Sequence, residues 1–165
     1  MKPYTIHKII REFENRFIND GFSKMDNIQY NKIDGAYHKR NFQITKFSIV
    51  DTFYMIHFAD NEISIQNIKS ISKRMFKIAL KNKMWIPRSL GNGVFLFSVF
   101  ILNNPSSEIK QFFNSYDPKH YASFEFPVLI DMASNEINFC QYTPMWGLVY
   151  YRGMRNTATK MLSFH

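Results

Sequence analysis

Apolar residues recur along this chain with two periods, and the switches between them mark out the elements. Ile6, Ile9, Ile10, Phe13 and Phe17 fall on one side of a 3.6-residue repeat, with Thr5 placed to cap it and Gly21 where a helix end favours a left-handed residue. The spacing predicts a helix over 5–19. From 20 to 37 the pattern dissolves into Asn, Asp, Ser and Gly, with Ile28, Tyr30 and Ile33 as isolated apolar anchors, and no element is assigned there. Phe42 and Ile44, then Phe47 and Ile49, alternate with polar residues, but the parity slips at Lys46. A slip of one residue predicts a bulged strand, paired with a second strand over 52–58.

The clearest helix covers 64–83, where Ile65, Ile68, Ile71, Met75, Ile78 and Ala79 share one face and Ser64 stands at the capping position. The run 94–102 is dense in Phe, Val, Ile and Leu between two turn-forming clusters, as a strand buried on both faces requires. A short helix follows over 106–116. Runs 124–130 and 136–142, separated by a turn-like link, predict a hairpin. Leu148, Tyr151, Arg155, Ala158 and Leu162 predict a closing helix over 147–162. The resulting order is α-β-β-α-β-α-β-β-α, an α/β or α+β class with a mixed sheet packed by about four helices. No repeat or linker divides the chain, so residues 1–165 read as a single mixed α/β domain.

Composition adds the means to build that core. Forty-five per cent of the 165 residues are hydrophobic, including 17 Phe and nine Tyr, so the domain is stable without disulfide or metal staples. Cys140 is the only cysteine, which rules out an intramolecular disulfide, suits a reducing, cytoplasmic setting and reads as a small buried hydrophobe in a strand. The N-terminus lacks a signal-peptide core. The longest apolar run is about half of the ~20 residues that span a bilayer, so no membrane association is expected.

Charge changes the picture most. The formal net charge is +8, and all of the excess lies in residues 1–90, which hold 16 basic and 8 acidic residues. Between Ser64 and Leu90 there are seven basic residues and no acid. Lys69, Lys73, Lys77 and Lys81 recur every fourth residue, roughly opposite the Ile/Met stripe and with Arg74 alongside. Like charges at this spacing destabilise a helix by ~0.2–0.5 kcal/mol per pair, a repulsion that phosphates relieve. Phe76 on the flank of the ladder is read as an exposed aromatic able to stack on a base, and His38, Lys39 and Arg40 as a second basic cluster just before the first strand.

Catalytic motifs are absent from the pattern. Gly91-Asn92-Gly93 lacks the remaining glycines of a nucleotide cradle, the five histidines have no paired ligand spacing, and no Gly-x-Ser-x-Gly elbow occurs, so neither a cofactor nor a metal is expected. Asp131 and Glu136-Ile137-Asn138 resemble in part the metal-dependent nucleases of the PD-(D/E)xK type, with Asn138 standing where those enzymes carry lysine. Cys140 and His120 form a second conceivable pair, a nucleophile and its base. Trp146 reads as a core plug or an interface anchor, and Tyr150, Tyr151, Arg152 and Arg155 as the rim of a pocket at the start of the last helix. The leading expectation is a non-enzymatic binding protein whose basic helix engages nucleic acid or another polyanion. The alternatives are a protein–protein adaptor or homo-oligomer with an aromatic-rich surface, and a degenerate nuclease-like enzyme acting through Asp131 and Glu136.

Overall fold

The structure, a computed structural model, describes residues 6–26, 32–43, 48–60, 63–84, 92–143 and 148–163. Its elements are α1 (Ile6–Asn19), β1 (Ser23–Lys24), β2 (Gly35–Gln43), β3 (Ser48–Ala59), α2 (Ile65–Asn82), β4 (Asn92–Leu102), α3 (Ser107–Ser115), β5 (Lys119–His120), β6 (Ser123–Asp131), β7 (Glu136–Phe139) and α4 (Leu148–Leu162). The strands form one mixed sheet in the order β1-β2-β3-β4-β6-β5, with β7 also pairing with β6. β3, β4 and β6 run parallel at its centre, joined by crossovers through α2 and α3. β1, β2, β5 and β7 add antiparallel edges.

Both crossover helices lie on one face of the sheet, where Ile68, Ile71, Met75 and Ile78 of α2 and Ile109 and Phe113 of α3 meet Phe53, Met55, Leu96, Phe100 and Leu129. α1 and α4 cover the other face. There Phe17 stacks on Tyr54 and Tyr54 on Phe97, with ring centroids 4.4 and 4.5 Å apart. β4 serves both cores by alternation: Val94, Leu96, Phe100 and Leu102 face α2 and α3, while Phe97, Val99 and Ile101 face α1 and α4.

Local chemistry sets several boundaries. Gly21, at φ +86°, closes α1: its N–H donates to Ile18 O and that of Phe22 to Phe17 O, both at 2.9 Å, and Phe22 packs on Phe17 at 5.9 Å. Ser64 caps α2 by accepting from Asn67 N at 3.2 Å, and Ser106 caps α3.

Two expectations need correction. The slip at Lys46 marks the interval between two strands and not a bulge in one: β2 and β3 pair antiparallel from Gly35↔Ile56 to Gln43↔Ser48, with 44–47 outside the described residues. The alternation on each side of the slip belongs to a different strand, which is why its parity changes. Ile65, at the first position of α2, is only half-buried, because the stripe engages the sheet from Ile68 onward.

Candidate nucleic-acid interface

Burial of Ile68, Ile71, Met75 and Ile78 against the sheet fixes the rotation of α2, and the same rotation turns Lys69, Lys73, Arg74, Lys77 and Lys81 to solvent. From Lys69 to Lys81 the strip is about 18 Å long at 1.5 Å per residue. Among the described residues no carboxylate pairs with Lys69, Lys73, Lys77 or Lys81. Lys69 Nζ instead sits 5.5 Å from the centroid of the Phe112 ring. Several other cations are occupied. Lys24 pairs with Glu14 at 2.8 Å, and Lys110 bridges Asp131 and Glu136 at 2.5 and 3.2 Å. Arg155 donates to the carbonyls of Cys140, Gln141 and Tyr142.

Lys39 and Arg40 do not form a second cluster. Strand alternation sends them to opposite faces of β2, Lys39 over the Phe22 ring and onto Asp20 at 3.1 Å, Arg40 onto Asp51 at 2.7 Å. Asp51 is fully buried and also takes His38 Nε2 and Met84 N, each at 2.8 Å. Burial alone pushes its carboxyl up, but Met84, His38 and Arg40 together hold it below the ordinary carboxylate range.

Phe76 is likewise not the exposed platform that its helical position suggests. It is 6% exposed and lies under His120, the rings nearly parallel with centroids 3.4 Å apart. β5 and the start of β6 cover that flank of α2. Beneath this stack is a polar group the sequence reading missed. Glu125 of β6, 4% exposed, accepts from Ser72 of α2 and, at 3.0 Å, from Ser98 of β4, while His120 Nε2 donates to it across 2.7 Å. The hydroxyl of Tyr116, at the end of α3, lies 3.2 Å from Ser72 Oγ. No lysine or arginine pairs with this carboxylate among the described residues. The signal was present in the sequence: an acid stands between two phenylalanines in the run 124–130, where both strand faces are otherwise apolar. The arrangement ties the β5–β6 turn, α2 and β4 into one rigid unit.

No known family, curated protein or solved structure matches the chain. The remaining candidates therefore rest on their own geometry. Asp131, Glu136 and Lys110 do meet in space, Lys110 coming from α3 and not from the strand position that Asn138 holds. Lys110 occupies the space between the two carboxylates, and Asp131 also takes Ala133 N at 2.9 Å and Ser134 Oγ at 2.7 Å, the contacts of a capped hairpin turn. Burial raises the Asp131 carboxyl, yet Lys110, Ser134 and Ala133 outweigh it and hold it low. Among the described residues no three His, Cys, Asp or Glu side chains gather as a metal-ligand set.

Cys140 is buried and free of disulfide just beyond β7, its thiol 3.5 Å from Tyr142 O and pushed up in pKa by burial. His120 faces Glu125 instead, so the two do not form a dyad. Tyr151 is buried with its hydroxyl donating to Asp117, and only Arg152 of the proposed rim is fully exposed among 151, 152 and 155. Trp146, the Tyr150 side chain and Arg88 lie outside the described residues. Among the described residues no helix is long and apolar enough to cross a membrane.

Proposed function

We propose that the protein binds nucleic acid through the outward face of α2. The observation that carries this reading is the line of lysines at 69, 73, 77 and 81, which the core packing of α2 holds side by side and which no carboxylate of the described residues neutralises. A phosphate backbone supplies the missing counter-charges, and counterion release drives the association without any base-specific motif. The lysines then relieve their mutual repulsion on binding, which favours complex over free protein.

The adaptor reading drew on the aromatic content. Among the described residues the large hydrophobics that are exposed are Ile18, Tyr121 and Tyr142, and most other aromatics fill the two cores. Among the described residues no contiguous aromatic face supports that alternative over the charged one. The test is the affinity of the purified protein for a labelled duplex as salt rises. Binding through four lysines gives a slope of log K against log salt of about −3.6. A slope near zero, or retention on no nucleic acid at low salt, overturns the proposal.

A further inference from the structure

Tyr121 is 74% exposed, the most exposed large hydrophobic side chain among the described residues. It sits at the tip of the β5–β6 turn, where His120↔Ser123 leaves only Tyr121 and Ala122 in the loop. This tip is not a loose loop. His120 before it is clamped on one side by the Phe76 ring at 3.4 Å and on the other by Glu125 at 2.7 Å, and Glu125 is in turn held by Ser98 and Ser72. Phe76 and Ser72 belong to α2, where Lys73 lies between them and Lys77 follows directly. The turn is therefore docked on the flank of the lysine strip, and it carries the exposed Lys119 as well as Tyr121.

We infer that the ligand of this surface is single-stranded nucleic acid, its backbone on the α2 lysines and Lys119 and an unpaired base stacked on Tyr121. This rests on the nucleic-acid reading above and adds the strandedness of the ligand. A cationic track bordered by an exposed aromatic ring is the arrangement that favours single strands, because a duplex keeps its base faces stacked inside and has none to offer. The buried Glu125 network acts as a positioning device, and its rigidity means that little ordering of the turn is needed on binding.

Fluorescence anisotropy with a labelled 20-nucleotide single strand and a 20-base-pair duplex tests this. The wild-type protein is expected to bind the single strand more tightly. Tyr121→Ala should weaken single-strand binding by about tenfold, as loss of one stacked base does, and leave duplex binding within twofold; Tyr121→Phe, which keeps the ring, should restore it. Equal sensitivity of both ligands to Tyr121→Ala, or no loss for the single strand, overturns this inference. If the salt slope of either ligand still flattens on replacing Lys73 and Lys77, the α2 interface survives that outcome and only the strandedness fails. No binding of either ligand at low salt removes both.

Discussion

Glu125 sets the terms at the scale of single residues, because a carboxylate under two helices persists only while its acceptors are filled. Ser72, Ser98 and His120 fill them. Glu125→Ala leaves those donors facing an apolar gap and should lower stability by about 3 kcal/mol in urea unfolding. Glu125→Gln, which keeps one acceptor oxygen, should be milder. A loss below about 1 kcal/mol for the alanine variant would mean the network is not organising the turn. Ala122 in that turn is a non-glycine residue at φ +48°, so Ala122→Gly should raise stability by up to about 1 kcal/mol.

Asp51 gives a pH signature. Its carboxyl is held below the ordinary carboxylate range in the folded state, so its contribution to stability is fully present above the unfolded value and is lost as pH falls through the folded one. Asp51→Asn should therefore be less stable than wild type at pH 7, with the gap closing below about pH 4. A gap that stays constant down to pH 2 would show that the charge of Asp51 is not what Arg40, His38 and Met84 read.

Among the elements, those with a long period and a cap were legible from the sequence. α1, α2 and α4 have the boundaries that the Ile, Phe and Leu spacing implies to within a residue or two, and β4 is the doubly buried strand that its composition announces. Ser64→Ala removes the acceptor of Asn67 N and should cost about 1 kcal/mol of stability with the fold unchanged. The β2–β3 pair was less legible, since a one-residue parity slip is produced equally by a bulge and by a chain reversal, and only the register Gln43↔Ser48 separates them. β1 and β5 are two residues each, too short for any period to show. Phe76 was misplaced for a related reason. Helical spacing puts it on the flank, but what covers a flank is a tertiary contact, here His120 from forty-four residues further along the chain.

At the scale of the whole molecule, a parallel centre with two crossovers on one face leaves the side of α2 opposite the sheet exposed, and Lys69, Lys73, Lys77 and Lys81 make that side positive. The strip was legible because one periodicity decides both burial and exposure. The Glu125 network was not, because its members come from 72, 98, 116, 120 and 125 and only the fold brings them together. The salt dependence of nucleic-acid binding by Lys73→Glu/Lys77→Glu beside wild type tests the central claim most directly. Both positions face solvent, so the double variant should keep its unfolding midpoint while binding weakens and the slope of log K against log salt becomes shallower by about 2. A folded double variant with wild-type affinity and slope would contradict the account.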